Sequence, residues 1–290
     1  MKIVFMGTPD FARASLAALL VMPEHTVTGV YTQPDKASGR GMKPLPSPVK
    51  LLALEHRIPV FQPAKMRDGT ALARLREWAP DLVAVVAYGR MLPREMLDTP
   101  PLGCVNIHAS LLPELRGAAP IQWAIARGLK ETGVTAQRMA EACDAGDILF
   151  SDATPIRDRD DAPSLHDRLR DMGAALLQRT VRAISGGTAT PISQDHEKAT
   201  FAPILRKEDG ILDLSRPANE LDCLIRAMTP WPGAVWNDLK VHRARPADEG
   251  NGPQFLRCGD GGILELLEVQ APGRKRMNAE EFFRGYKGGS

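Results

Sequence analysis

The chain opens with Lys2-Ile3-Val4-Phe5-Met6-Gly7-Thr8-Pro9-Asp10, followed by Phe11-Ala12-Arg13-Ala14-Ser15-Leu16-Ala17-Ala18-Leu19-Leu20, and the pair decides the fold class. The first run is almost wholly apolar, as expected of a strand buried on both faces, and the second repeats apolar residues at helical spacing. Strand, Gly/Pro turn and helix make the first part of a βαβ unit. Further strands are expected at Thr26–Thr32, Leu82–Ala87, Val105–His108 and Val134–Met139. Ser47-Pro48-Val49 supplies an N-cap serine and a proline at the first helical position for a helix running to about His56. Ser164–Ser185 is the longest helical pattern, opened by Ser164 with Asp167 three residues on and closed by Gly186-Gly187. This alternation specifies an α/β domain with a mostly parallel sheet covered by helices.

From Thr188 to Lys207 helical periodicity is lost and Pro191 and Pro203 intervene, the pattern of an interdomain linker. Beyond it a helix is expected at Ala218–Met228, then short strands at Val235–Val241, Gln254–Cys258 and Ile263–Val269, separated by Gly and Pro turns. That pattern suits a small β-barrel or sandwich. The expected organisation is residues 1–189, a linker over 190–207, and a second domain over 208–290.

Of the 290 residues, 43% are hydrophobic, 25% charged and 5% aromatic, with 37 Lys+Arg against 35 Asp+Glu. A formal net charge of +2 excludes a binder whose affinity comes from an indiscriminately positive surface. No apolar run approaches the ~20 residues of a membrane span, and no leader is evident, so a cytoplasmic location is expected. Cys104, Cys143, Cys223 and Cys258 are scattered, with no C-x-x-C pair, which suggests neither a zinc site nor a disulfide framework.

The densest cluster of chemically capable residues is Asn106-Ile107-His108-Ala109-Ser110-Leu111-Leu112-Pro113, at the end of an expected strand. Residues two apart on a strand face the same way, so Asn106 and His108 project together. The carboxyl ends of strands in an open α/β sheet are where ligands bind. An amide donor beside an imidazole suits stabilising an oxyanion and moving a proton during attack on a carbonyl. Asp144, in the turn Cys143-Asp144-Ala145-Gly146-Asp147 just after the Val134–Met139 segment, is a candidate carboxylate partner, since in a parallel sheet the two loops could meet. Each residue also has an ordinary structural reading: a satisfied histidine, a turn aspartate, an asparagine tying down a loop.

Asn-x-His followed by Ser-Leu-Leu-Pro-x-x-Arg-Gly-Ala-Ala-Pro-Ile, with Asp-x-Gly-Asp downstream, resembles the signature of the folate-dependent formyltransferases. Met6-Gly7-Thr8-Pro9-Asp10-Phe11, Thr32-Gln33-Pro34-Asp35, Gly39-Arg40-Gly41 ahead of Pro46-Ser47-Pro48-Val49-Lys50, Val86-Ala87-Tyr88-Gly89 and Pro230-Trp231-Pro232 are similar to the branch acting on methionyl-tRNA. The matches run from residue 6 to about 277. The resemblance implies a Rossmann-like formyltransferase domain followed by an OB-like barrel that supports tRNA. It also implies formyl transfer from 10-formyltetrahydrofolate, without a metal, to the α-amine of methionyl initiator tRNA. Asn106, His108 and Asp144 would be the catalytic trio, and Ser110, Leu111, Leu112 and Pro113 would line the folate pocket. The expected partners are the tRNA and the folate cosubstrate, with no membrane, and the protein is expected to be a monomer.

Lys36, Arg40, Lys43 and Lys50 form a basic segment with no intervening acid. Charge alone allows a solvated surface loop. The resemblance makes the loop a contact to the tRNA acceptor end, with Lys36, Arg40 and Lys43 on the RNA. In the second domain the resemblance makes Arg274-Lys275-Arg276 candidate phosphate contacts, with Arg274 and Lys275 foremost, while Trp231 is expected to be packed. The chain departs from the family pattern at Glu114 and Leu115, where a basic residue and tryptophan are common, at Ile204, and at Cys143 ahead of Asp144. Rival readings are a formyltransferase acting on a nucleotide-linked amino sugar or a purine precursor, a nicotinamide-dependent enzyme and a noncatalytic RNA-binding module. Gly7-Thr8-Pro9-Asp10 lacks the G-x-G-x-x-G spacing that the nicotinamide reading needs.

Overall fold

A computed structural model describes residues 1–38 and 43–285, so Arg40 lies outside the described residues, as do the side chain of Lys43 and the last five positions. By its internal contacts the chain divides into two compact units that interleave along the sequence. The first comprises Met1–Ala118, Gly133–Thr154 and His166–Phe201, and the second Ala119–Thr132, Pro155–Leu165 and Ala202–Ser290.

The strands of the first part of the chain are β1 (Lys2–Gly7), β2 (Thr26–Tyr31), β3 (Lys36–Ser38), β4 (Lys43–Leu45), β5 (Val60–Phe61), β6 (Leu82–Val86), β7 (Cys104–His108), β8 (Arg116–Gly117), β9 (Glu131–Arg138) and β10 (Ile148–Pro155). Seven of them form one sheet in the order β10-β9-β7-β6-β1-β2-β5. β1 pairs in parallel with β2 and β6, β2 with β5, and β6 with β7. β9, by contrast, is antiparallel to β7, with Asn106 opposite Gln137 and His108 opposite Thr135. The expectation of a parallel strand there fails for a topological reason. The helix between them, α5 (Pro120–Ala126), belongs to the second unit instead of covering the sheet as a crossover would, and the chain re-enters in the opposite direction.

The helices are α1 (Asp10–Leu20), α2 (Pro48–Glu55), α3 (Thr70–Trp78), α4 (Arg94–Leu97) and α6 (Ala162–Ser185), of which α1, α2 and α6 follow the expected helical patterns and α3 and α4 were not expected. Ser47 caps α2 as its position predicts, its hydroxyl accepting from the Lys50 N–H at 3.1 Å. On one face of the sheet Val4, Met6, Val83 and Val85 pack with Ala71 and Leu75 of α3 and Met96 and Leu97 of α4. Gly29 is where Trp78 closes on β2: a Cβ there would sit 2.2 Å from the indole. On the other face Ile107 and Phe11 pack at Gly173 of α6. That Ile107 faces α6 puts its neighbours Asn106 and His108 on the opposite side of β7.

α6 starts two residues before the expected Ser164. Its capping box is Asp161 with Ser164: the Asp161 N–H donates to Ser164 Oγ at 3.1 Å, and the Ser164 N–H to Asp161 Oδ1 at 2.9 Å. Ser164 therefore stands at the third helical position instead of the cap, because Asp161 offers the stronger acceptor.

In the second unit α7 (Ala218–Met228) packs on α5 and on an antiparallel sheet. The remaining strands are β11 (Phe201–Ala202), β12 (Ala234–Trp236), β13 (Leu239–Ala247), β14 (Phe255–Arg257), β15 (Ile263–Gln270) and β16 (Met277–Asn278), with α8 (Ala279–Gly285) last. The order β12-β13-β15-β14, with β16 beside β15, forms a curled half-barrel of OB-like character. Its bend coincides with register shifts at Val241 to Ala244. The single strand expected over Val235–Val241 is instead a tight hairpin, because Asn237 and Asp238 both take left-handed backbone (φ 46° and 63°), which turns the chain between β12 and β13. Trp231, expected to be packed, is 53% exposed.

Candidate active site

The site is assembled at the carboxyl ends of the parallel strands. Three of the quoted motifs meet there through hydrogen bonds. The Gln33 side chain, after β2, donates to the Tyr88 carbonyl after β6 at 2.8 Å, and the Gln33 N–H donates to Thr8 Oγ1 after β1 at 3.3 Å. The Gln62 amide in turn holds the Gln33 carbonyl and Asp35 Oδ1. Lys50 forms an ion pair with Asp35 at 2.6 Å, so its charge is already met within the loop. Together with Gln62, Lys50 holds the Asp35 carboxyl below its ordinary pKa.

His108 is buried at the end of β7. Its Nε2 lies 2.9 Å from the Leu115 carbonyl, and its Nδ1 3.6 Å from Asp144 Oδ1. A carbonyl can only accept, so Nε2 carries a hydrogen. Both ring nitrogens thus face oxygen atoms, with Nδ1 beyond direct hydrogen-bond distance of Asp144. Leu115 presents its carbonyl from a left-handed conformation (φ 58°), unusual for a bulky residue and held by complete burial. Among the described residues the Asn106 side chain has no hydrogen-bond partner, so its amide is free to serve a ligand.

Asp144 does reach His108, although β9 runs the wrong way for parallel loops to meet. The loop after β9 folds back on its own strand. The Arg138 N–H donates to the Asp147 carbonyl at 2.8 Å, and Gly146 lies so close that a Cβ there would sit 1.8 Å from the Arg138 carbonyl oxygen. The Asp144 carboxylate accepts from the Gly117 N–H at 2.9 Å, the Gln137 amide at 3.1 Å and the Cys143 thiol at 3.2 Å. Partial burial of its sulfur, followed by the Asp144 charge and hydrogen bond, pushes the Cys143 thiol up to about 11.

Of the expected folate residues, Ser110 and Leu112 are buried and Leu111 and Pro113 partly exposed. Ser110 Oγ is engaged by the Glu114 carbonyl at 2.5 Å, and the Leu112 N–H donates to Thr135 Oγ1 at 3.1 Å, so both shape the loop. Leu111 and Pro113 are the side chains left for a ligand to touch. Lys36 and Lys43 lie on the hairpin β3–β4, where Ser38 pairs with Lys43. Arg274 and Lys275 are exposed on the second unit, whereas Arg276 is paired with Glu268. Sequence reasoning assigned no role to Arg116, Gln137 and Gln194, three buried polar residues around Asp144. Gln137 is signalled only by its place between Val134-Thr135-Ala136 and Arg138, and Gln194 by nothing local. Among the described residues no group of three or more His, Cys, Asp or Glu is arranged to hold a metal, and no helix is long and apolar enough to cross a membrane.

The chain, with a Rossmann-like sheet and an amide, an imidazole and a carboxylate at its carboxyl edge, belongs to the formyl transferase family, a class of group-transfer enzymes. The family model "Formyl transferase" matches residues 1–181 and "Formyl transferase, C-terminal domain" residues 204–287. The chain is similar to the methionyl-tRNA formyltransferase of Citrifermentans bemidjiense, 45% identical over 99% of this chain and 94% of that protein. It is likewise similar to that of Desulfotalea psychrophila, 44% identical over 100% and 94%. Among solved structures, an N-formyltransferase from Helicobacter canadensis in complex with folinic acid and dTDP-3-aminofucose superposes with a TM-score of 0.71 at 17% identity, covering 92% of this chain and 98% of that one. HypX from Aquifex aeolicus in complex with tetrahydrofolic acid gives 0.62 at 16%, covering 97% of this chain and 46% of that one.

Proposed function

We propose that this enzyme transfers the formyl group of 10-formyltetrahydrofolate to the α-amine of methionine esterified to initiator tRNA, in the cytoplasm, as a monomer. The observation that carries the reading is Asn106, His108 and Asp144 gathered at one strand end in a chain 45% identical over its length to a methionyl-tRNA formyltransferase. The sugar N-formyltransferase neighbours, at 17% identity, support the fold and not the acceptor.

In the proposed reaction the amine lone pair attacks the formyl carbon and the carbonyl electrons move onto oxygen. The unengaged Asn106 amide donates to that oxyanion. Nε2 of His108 is committed to Leu115, so Nδ1 is the ring atom that serves the reaction. At 3.6 Å from Asp144 it is too far for a strong direct bond, and its hydrogen is available to the oxyanion or to a bridging water. Asp144 orients the ring and accepts, through water, the proton that the attacking nitrogen loses. The C–N10 bond then breaks, N10 takes up a proton, and formylmethionyl-tRNA and tetrahydrofolate leave. No metal enters the scheme, because the formamide is activated by its N10 aryl leaving group.

The test is formylation of charged initiator and elongator methionyl-tRNA by the purified protein. Initiator tRNA should be formylated in preference, and Asn106→Ala should lower kcat by about 10²- to 10³-fold, the usual cost of one oxyanion donor. Formylation of an amino sugar nucleotide with no turnover of tRNA would overturn the reading.

A further inference from the structure

Gln194 lies in the non-periodic stretch after α6, yet its side chain is buried and fully engaged. Its Oε1 accepts from Arg116 Nε at 3.2 Å and Arg116 Nη2 at 2.6 Å. Its Nε2 donates to the main-chain carbonyls of Asp144 at 2.9 Å and Gly146 at 2.6 Å, with Gln137 Oε1 at 3.4 Å. A guanidinium only donates and a carbonyl only accepts, so the amide cannot be flipped and one orientation is fixed. The same Arg116 Nη2 that donates to Gln194 also lies 3.0 Å from Nδ1 of His196. The buried Arg116 guanidinium forms no ion pair among the described residues, and its Nε and Nη2 form a donor fork on Gln194 Oε1.

The two carbonyls that Gln194 grips flank Ala145. Fixing both restrains the peptide planes of the turn that carries Asp144, whose own backbone is left-handed (φ 52°). We propose that Gln194, oriented by Arg116, is a positioning residue that latches this turn and so sets the Asp144 carboxylate against His108. The proposal rests on the formyl-transfer reading for its catalytic consequence, but the latch itself can be measured without substrate. A catalytic carboxylate displaced by about an ångström costs on the order of a hundredfold in rate.

Gln194→Glu is the discriminating variant. It keeps the pairing with Arg116, removes both donors to the turn and places oxygen lone pairs against the two carbonyls. Expected are a kcat at least about thirtyfold lower with both KM values within about threefold, and amide hydrogen exchange over residues 142–147 accelerated about tenfold or more while β7 is unchanged. Gln178→Ala serves as the control, since it removes another amide-to-carbonyl bond, to Ala18 at 2.7 Å, away from the site. It should lower Tm and leave kcat intact. A kcat in Gln194→Glu within threefold of wild type, or unaltered exchange over 142–147, overturns the latch. Should the variant not fold, the wild type decides: the Gln194 Nε2 protons should exchange slowly in 15N spectra, and fast exchange counts against the proposal. Wild-type protein that fails to formylate tRNA but shows a protected turn removes the functional reading and leaves the latch standing.

Discussion

At the scale of single residues, alternation along β7 is enough to pair Asn106 with His108, because side-chain direction on a strand is fixed by the backbone. The three donors to the Asp144 carboxylate come from Gly117, Gln137 and Cys143, and one of these, Gly117, lies in a distant segment, a kind of neighbourhood that local pattern does not encode. Cys143 is the informative member, since its thiol, pushed up to about 11, stays protonated and donating at neutral pH. Between an ordinary thiol value of about 8.5 and about 11 the folded protein keeps a proton that the unfolded chain has lost. The associated stability is complete below about 8.5 and disappears as pH rises through about 11. At pH 8 iodoacetamide should therefore label Cys143 in the folded protein roughly a hundredfold more slowly than in urea. Asp144→Asn, which removes the neighbouring charge, should restore part of the rate. Mass spectrometry of the labelled peptide reads both, and equal rates in folded and unfolded protein would refute the assigned environment.

At the scale of elements, α1, α2, α6, α7 and the strands β1, β2, β6 and β7 are legible because each carries its own apolar period, whereas the short α3, α4 and β5 and the direction of β9 are not. Direction depends on where α5 goes, and an apolar helix can cover a sheet face or join another unit with the same sequence pattern. The Asn237-Asp238 hairpin was missed for a related reason: an apolar residue on either side masks a two-residue turn that lacks the usual glycine. The loop from β9 to β10 shows what this hidden direction means for function. It must double back for Asp144 to reach β7, and Gly146 permits that by lying against the Arg138 carbonyl. Gly146→Ala has no space for its methyl, so the turn must shift. It should destabilise the protein by about 1–3 kcal/mol, as overpacking does. It should also lower kcat by at least about tenfold, since the displaced turn carries Asp144 with it. Urea melts and single-turnover rates test the two effects separately. Loss of stability with full activity would mean that the turn's position is not what the chemistry needs.

At the scale of the whole molecule, the net charge of +2 conceals an uneven distribution. Many cations are neutralised where they stand: Lys50 by Asp35, Arg226 by Asp222, Arg245 by Glu265, Arg276 by Glu268 and Arg284 by Glu280. The side chains of Lys36, Arg274 and Lys275 are exposed and form no ion pair among the described residues. Binding of a polyanion releases counterions only where a cation meets a phosphate, so the salt dependence of affinity counts the contacts made, not the net charge. If tRNA is held by Lys36, Arg40, Lys43, Arg274 and Lys275, the plot of log affinity against log salt should have a slope of about −3.5 to −4.5. Removing Arg274 and Lys275 together should reduce its magnitude by about 2 while leaving KM for the formyl donor and kcat at saturating tRNA unchanged. Arg245→Ala removes a cation already paired, by a 2.5 Å bond to Glu265, and should leave the slope where it was. A slope unaltered in the Arg274/Lys275 double variant would move tRNA recognition away from the end of the second unit, and a change in Arg245→Ala would show that local pairing does not withhold a cation from RNA.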